Sequence, residues 1–310
     1  MSDAPILITG GAGFIGSHLC DALLEGGHHV RILDDFSTGK RSNLQVQHPH
    51  LELIEGDVAD AALLLRAAAG CAAVVHLAAV ASVQASVDDP VKTHQSNFIG
   101  TLNVCEAMRV HGIRRVLYAS SAAVYGNNGE GQAIGEDTPK APLTPYAVDK
   151  LASEQYLDFY RRQHSLEPVV LRFFNIFGPR QDPSSPYSGV ISIFAERALH
   201  RQPITLFGDG EQTRDFLYVG DLVRVMVQAL MQPAVQEGAV NIGLNQATSL
   251  NRLLAALEEV IGSLPPVGHQ AARAGDIRHS RADNTRLLQR FTLDRPTTLV
   301  DGLRQLLGKA

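Results

Sequence analysis

Over the first 180 residues, short apolar runs alternate with longer segments whose apolar residues recur at helical spacing. The runs at Ile6–Thr9, 29–33, Leu51–Glu55, Ala73–His76 and 116–119 read as strands, and the fourth is apolar throughout, as a parallel strand covered on both faces should be. Between them, Ile15, Leu19, Leu23 and Leu24 mark one helix, 90–110 a long second one, and Ala147, Leu151, Tyr156 and Phe159 a third over 146–164. Pro145 suits the first turn of that third helix. Strands alternating with helices predict right-handed βαβ units and an α/β fold with a doubly wound parallel sheet.

From Pro179 the pattern loosens. Pro183, Pro186 and Gly189 mark a loop, a helix follows over Val190–Leu199, and Ile204–Phe207 leads into a turn at 208–210. A strand is expected over 214–218, then a helix capped by Asp221 running through Val225 to Leu230. Ser249 is placed to cap the helix Leu250–Ile261, and a last helix spans 299–307. Residues 1–178 are thus expected to form a dinucleotide-binding domain and 179–310 a smaller α/β substrate domain, with the chain re-entering the first near 215–245.

The first strand runs straight into Gly10, Gly13 and Gly16 and then into a helix. In that context Gly10 permits a tight turn, Gly13 lets backbone approach a pyrophosphate, and Gly16 lets the helix pack close to the sheet, with Phe14 and Ile15 at the helix N-terminus facing the phosphates. Asp34 and Asp35 end the second strand about twenty residues on, where a carboxylate bonds a ribose 2′-hydroxyl and repels a 2′-phosphate. NAD is therefore favoured over NADP. Phe36, Ser37, Thr38 and Gly39 fall where they would line the adenosine. Asp57, beside Val58, either contacts adenine or ends the third strand. Leu77, Ala78, Ala79 and Val80 are small enough to let a dinucleotide lie across the strand ends.

Composition narrows the classes. A chain of 310 residues with 45% hydrophobic and 19% charged residues has the make-up of an ordinary globular enzyme. A net charge of −5 gives no basic face for nucleic acid, and twelve dispersed histidines offer no metal-ligand spacing. Cys20, Cys71 and Cys105 are an odd, widely spaced set in expected helices, which reads as free buried thiols in a reducing compartment. No run is long enough to span a bilayer and no signal sequence precedes the first strand, so a cytoplasmic location is expected.

The chemistry centres on Ser121 at a strand end and on Tyr146 and Lys150, which share one helix face four residues apart. An ammonium beside a phenol stabilises the phenolate and draws its pKa from roughly 10 towards neutrality, where a general base works. The same Y-x-x-x-K spacing also arises as ordinary amphipathic dressing, so the surrounding motifs carry the choice.

Those motifs are Thr9–Gly16, His76–Ala79, Asn97, Ser120–Gly126, Tyr146 with Lys150, Arg172–Asn175 and Thr213–Phe216. As an ordered set they resemble the extended short-chain dehydrogenases/reductases, and among these the UDP-hexose 4-epimerases. The resemblance implies a Rossmann-type NAD domain, a UDP-sugar substrate and a reaction in which C4 of the sugar is oxidised and re-reduced. Tyr146 would take the proton of the 4-hydroxyl, Lys150 would bond the nicotinamide ribose, and Ser121 would relay the proton. It also implies Asn97 and Phe173 beside the cofactor, and Val80 and Ala122 beside the sugar. Asn175, Arg214 and Arg273 would lie at the diphosphate, Asp276 at the uridine ribose, and Val190, Thr205 and Phe207 around the uracil. A homodimer built on a four-helix bundle belongs to the same resemblance.

Two positions select among relatives. Dehydratases and decarboxylases of the superfamily carry acids just after the position of Ser121, where this chain has Ala122 and Ala123, so hydride return without elimination is favoured. Ser280 falls where glucose-restricted enzymes carry a large aromatic residue, and a small side chain there leaves room for an N-acetyl group. UDP-N-acetylglucosamine and UDP-N-acetylgalactosamine are therefore the expected pair, as in epimerases that supply bacterial exopolysaccharide. The alternatives are a dehydratase or decarboxylase of the superfamily, a dinucleotide-binding sensor without catalysis, and Ser280 as an ordinary surface serine.

Overall fold

The computed structural model describes residues 4–128, 131–183, 189–272 and 277–309. The chain divides into two compact units, the first made of Met1–Gly126, Pro142–Arg172 and Val223–Ala239, the second of Asn127–Ala141, Phe173–Leu222 and Val240–Ala310. The first unit thus gives way at Phe173, where the sequence pattern suggests 178, and 127–141 is an excursion that no composition shift announces.

The first unit carries β1 (Ile6–Thr9), α1 (Phe14–Glu25), β2 (Val30–Asp34), β3 (Leu51–Glu55), α2 (Ala61–Ala68) and β4 (Ala73–His76). There follow α3 (Val83–Asp88), α4 (Pro90–His94), a π-helical turn over Gln95–Ile99, α5 (Gly100–His111), β5 (Arg115–Ser121), α6 (Pro145–His164) and β6 (Glu167–Phe173). Its strands lie in the order β3-β2-β1-β4-β5-β6. Thr9 pairs with Leu33 on one side and His76 on the other, both in parallel register. Strand order reverses at β1 and β4, so the loops after these two strands flank the switch point where dinucleotides bind.

β1 and β4 are buried along their whole length because helices cover both faces. Leu7, Val74, Val116 and Tyr118 pack there with Val104 and Met108 of α5 and Leu157 of α6. Truncating a leucine as buried as Leu7 (fully inaccessible) costs roughly 2–5 kcal/mol. The expected long helix at 90–110 is one rod in three segments, α4, the π turn and α5. Thr144 caps α6 by accepting from Ala147 N at 3.4 Å, Pro145 stands in its first turn, and Ser165 closes it in the left-handed conformation. That cap fixes where Tyr146 and Lys150 leave the backbone.

The second unit opens with β7 (Asn175–Phe177), α7 (Val190–Leu199), β8 (Ile204–Phe207), β9 (Thr213–Arg214) and β10 (Phe216–Tyr218). The boundary between units falls inside α8 (Val219–Met231). The second unit then resumes with β11 (Val240–Ile242), β12 (Thr248–Ser249), α9 (Leu250–Ile261), β13 (Val267–Gln270), α10 (Thr285–Arg290) and α11 (Leu299–Leu306). Ser249 caps α9 as expected, through Arg252 N at 3.2 Å. Asp221 does not cap α8. It lies in the first turn and accepts instead from Thr297 N at 2.7 Å and Thr297 Oγ1 at 3.2 Å. The strand expected over 214–218 breaks at Asp215, which turns its side chain into the unit.

Candidate active site

The turn after β1 is built around backbone proximity. Gly10 has φ +70°, and a Cβ on it would stand 2.7 Å from Ala78 N. A Cβ on Gly16 would stand 2.3 Å from Gly10 O, so the helix can begin this close to the strand only with glycine there. Gly13 is the α1 N-cap and offers no side-chain acceptor, which leaves the first-turn N–H groups of α1 to an anion. This uncapped helix start above a glycine turn fits a dinucleotide pyrophosphate.

Asp34 stands at the end of β2, and its carboxylate accepts from Ala12 N at 2.8 Å and Phe36 N at 2.9 Å. It therefore ties the glycine turn to the loop after β2, with lone pairs left to accept from ribose. Burial pushes its carboxyl up, against those two N–H bonds. Asp35 is exposed and accepts from Ser37 N and Ser37 Oγ. Phe36 adopts a left-handed φ of 57° with the Arg41 guanidinium 4.4 Å from its ring centre, while Thr38 is exposed and Gly39 sits against Asp34 Oδ1. Asp57 caps its own turn through Ala59 N at 2.9 Å, beside the buried Val58.

After β4, Leu77, Ala78, Ala79 and Val80 are all half-buried. Asn97 clamps this strip: its Oδ1 accepts from Val80 N at 2.7 Å and its Nδ2 donates to Val80 O. The resemblance implies Asn97 beside the cofactor; in the structure its amide has both ends on the Val80 backbone, reached from the π turn.

A buried chain of polar groups ties the glycine turn to α6. Thr101 Oγ1 donates to Asn97 O at 2.6 Å and therefore accepts from His76 Nε2 at 3.0 Å, which makes His76 Nδ1 the acceptor of the Thr9 hydroxyl at 2.7 Å. Ser153 Oγ donates to Thr101 at 3.3 Å. Burial first and the charge of Lys150 second hold the His76 pKa down at about 3, so it is neutral. In the sequence His76 stands out only as part of a strand and a motif, because its partners lie on other elements.

Ser121, Tyr146 and Lys150 come together in the first unit. The Ser121 hydroxyl accepts from Ala123 N at 3.1 Å. Lys150 is buried, donates to Ala119 O at 2.8 Å, and lies 5.8 Å from the Tyr146 ring centre and 4.9 Å from that of Tyr118. The expectation that Lys150 draws the Tyr146 pKa down is not met in the protein alone. Burial drives the phenol above its ordinary value, and the opposing influence is the Ser121 hydrogen bond. Burial likewise pulls Lys150 down to about 8, opposed by Asp149 and then Glu154. Glu154 is itself paired with Arg172 at 2.6 Å and also holds the Ser120 hydroxyl.

In the second unit, Arg214 Nη1 and Ser280 N both donate to Thr213 O, at 2.8 and 3.2 Å. The sequence candidates Arg214 and Ser280 are thus neighbours on one carbonyl. In β8, Ile204 and Leu206 face inward while Thr205 and Phe207 are partly exposed on the other side. Val190 begins α7, Phe173 and Asn175 are half-buried, and Ala122 opens the short turn after β5 in the first unit. Arg273 and Asp276 lie outside the described residues. Asp215 is a residue that sequence reasoning misses: it is fully buried, and its carboxylate accepts from Leu244 N, Asn245 N and Ala282 N at 2.9–3.0 Å. A charged residue between Arg214 and an apolar strand is the only signal.

Among the described residues no cluster could hold a metal ion, and no helix is long and apolar enough to cross a membrane. All three cysteines are free and buried, although Cys71 lies in the turn after α2 and not in a helix.

A glycine-turn α/β sheet with a serine, a tyrosine and a lysine at its strand ends defines a nucleotide-cofactor enzyme of the short-chain dehydrogenase type. Residues 6–243 match the model of the NAD dependent epimerase/dehydratase family, and the chain belongs to that family, whose cofactor is NAD. It is 38% identical over 301 residues to the UDP-glucose 4-epimerase of Mycolicibacterium smegmatis, covering 96% of this chain and 95% of the relative. Its fold matches a UDP-N-acetylglucosamine 4-epimerase from Methanobrevibacter ruminantium, solved with UDP-N-acetylmuramic acid, at a TM-score of 0.94 and 36% identity over 100% of this chain and 98% of the other. It also matches the Thermus thermophilus UDP-glucose 4-epimerase solved with NAD, at a TM-score of 0.89 and 36% identity over 98% of each chain.

Proposed function

We propose that the chain is a UDP-sugar 4-epimerase, and that UDP-N-acetylglucosamine and UDP-N-acetylgalactosamine are its preferred pair. The observation that carries the reaction is the grouping of Ser121, Tyr146 and Lys150 at the end of β5 with no acid at Ala122 or Ala123. When bound, NAD supplies the hydride acceptor and donor for sugar C4, and its positive ring adds the charge that favours phenolate. Gly10, Gly13 and Gly16 hold the pyrophosphate together with the α1 N-terminus, and Asp34 accepts from ribose. Tyr146 takes the 4-hydroxyl proton and returns it, Ser121 passes it between sugar and phenol, and Lys150 supplies positive charge beside both. Elimination of water needs a further acid or base near the sugar, and the two alanines after Ser121 provide none.

The substrate preference rests on Ser280. Its neighbour on the Thr213 carbonyl is Arg214, a natural diphosphate ligand, so a small residue at 280 lies beside the part of the unit that would grip the nucleotide sugar. Phe207, Thr205, Val190 and Asn175 complete the proposed nucleotide contacts, with Arg273 and Asp276 as further ligands. A homodimer is part of the proposal: Val91, Val148, Tyr156 and Phe159 are exposed at 71, 49, 43 and 44% on α4 and α6, more apolar surface than a solvent face needs. The location proposed is cytoplasmic, a reducing compartment that suits three free buried thiols.

The test is incubation of the purified protein with UDP-N-acetylglucosamine and, separately, UDP-glucose, with and without added NAD, following anomeric protons by NMR. Faster formation of UDP-N-acetylgalactosamine supports both parts. Faster conversion of UDP-glucose keeps the epimerase and discards the preference, and conversion of neither with NAD present discards the epimerase.

A further inference from the structure

One buried carboxylate beside the catalytic helix face has no place in the chemistry above. Asp149 precedes Lys150 in α6 and is 4% exposed. Its Oδ1 accepts from His94 Nδ1 at 2.8 Å, across from α4. Its Oδ2 is buried and, among the described residues, has no hydrogen-bond partner. A carboxylate desolvated to this degree and only half satisfied is costly unless positive charge lies near.

The charges around it decide where that compensation comes from. Lys150 makes no ion pair among the described residues; it touches Ala119 O and the rings of Tyr118 and Tyr146. The other groups facing it are His76 of β4, held neutral, and Glu154 of α6. Glu154, however, is engaged by two nitrogens of Arg172, Nε at 2.9 Å and Nη2 at 2.6 Å, and also accepts from the Ser120 hydroxyl. A bidentate guanidinium cancels most of the field of the carboxylate it holds. Asp149 has no arginine or lysine within ion-pair distance among the described residues, and its one polar partner, His94, is half exposed with its ring stacked on Phe98 at 5.1 Å. Asp149 is therefore the acid whose negative charge reaches Lys150 without an arginine to offset it.

We propose that Asp149, held in place by His94, is a positioning residue for the reaction: its carboxylate keeps the buried Lys150 amine charged and so keeps the Tyr146 site competent. This rests on reading Lys150 as a catalytic group. The physical basis is that Lys150, buried next to Asp149 in α6, needs a counter-charge to remain an ammonium away from water. His94 fixes the carboxylate rotamer from a neighbouring helix, so the spacing of α4 and α6 enters the electrostatics of the site.

The test compares wild type, Asp149→Asn, Asp158→Asn and Lys150→Met, each loaded with NAD, by two readings. Asparagine keeps the size of Asp149 and an oxygen for His94 but removes the charge; Asp158 is a 48%-exposed acid on the same helix, paired with Arg161. The first reading is the titration midpoint of Lys150 by NMR of lysine labelled with 13C at Cε, its signal assigned by its loss in Lys150→Met. The second is the pH profile of turnover. In Asp149→Asn the Lys150 midpoint falls by about one pH unit, the alkaline limb of kcat moves down with it, and KM for the UDP-sugar stays within about twofold. Asp158→Asn moves neither. An unmoved Lys150 midpoint in a folded Asp149→Asn, or an equal shift in Asp158→Asn, overturns the role given to Asp149. If the midpoint falls but Lys150→Met keeps wild-type turnover, the charge relation stands and the catalytic reading of Lys150 is what fails.

Discussion

The Ser121 hydroxyl is anchored by Ala123 N–H at 3.1 Å, and it is the group that opposes burial at the Tyr146 phenol. That amide takes one of the two lone pairs of the serine oxygen and leaves the other lone pair and the proton for the proposed relay. Burial raises the Tyr146 phenol above its ordinary value in the protein alone, so the proposed phenolate would draw on positive charge arriving with the cofactor.

Tyr146→Phe follows directly. The ring keeps its packing and loses the group that takes the 4-hydroxyl proton while C4 gives up hydride. Turnover should drop by about 10²–10⁴-fold, the usual range for removing a general base, while UDP-sugar affinity by calorimetry changes little. A variant with turnover near wild type would rule out the phenol as the base.

Much of this is legible in the sequence. The bounds of β1, β3, β4, β8, α7 and α9 follow from apolar runs, glycines and a serine cap, because these signals are local. The residues that hold the site together are not local. His76 reaches Thr9 and Thr101 across 67 and 25 positions, and Asp149 meets His94 across 55. No periodicity encodes such partners, nor that both ends of the Asn97 amide meet the Val80 backbone. The net direction of the Tyr146 pKa is not legible in the sequence for a related reason: spacing gives proximity to Lys150, but the burial that raises the phenol comes from the fold.

His76 predicts an acid limit to stability. Its folded pKa of about 3 lies below the ordinary 6.5, so the unfolded chain binds more protons between these values. The stability this group contributes is present above 6.5 and is lost as pH falls through that window, by about 2 kcal/mol at pH 5. Denaturant unfolding at pH 7 and pH 5 should show the loss in wild type. In His76→Gln the pH 7 stability is lower, but the pH 5 loss shrinks by about that amount; an undiminished loss would place the sensitivity elsewhere.

Asp215 predicts a structural failure in the second unit. Three backbone N–H groups, of the half-buried Leu244, the exposed Asn245 and the buried Ala282, end on its carboxylate. Asp215→Ala strands the buried N–H of Ala282, at roughly 1–3 kcal/mol, and takes the acceptor from the two more accessible ones, so it should lower the melting temperature. Asp215→Asn keeps one acceptor oxygen and turns an NH2 towards donors, so it should fall between alanine and wild type. A melting temperature unchanged in the alanine variant would mean that water satisfies these groups as well as the carboxylate does.

Ser280→Tyr separates the substrate reading from the catalytic one. Residue 280 shares the Thr213 carbonyl with Arg214 and is remote in sequence from Ser121, Tyr146 and Lys150, so an aromatic ring there should alter what binds without altering the proton relay. If the serine leaves room for an acetamido group, filling that room should lower kcat/KM for UDP-N-acetylglucosamine by about tenfold or more relative to UDP-glucose, the scale on which pocket walls discriminate. The comparison is a ratio within one variant, so loss of folded protein cancels. Equal losses on both substrates would move the pocket wall to another residue, and a gain in the N-acetyl ratio would reverse the assignment of Ser280.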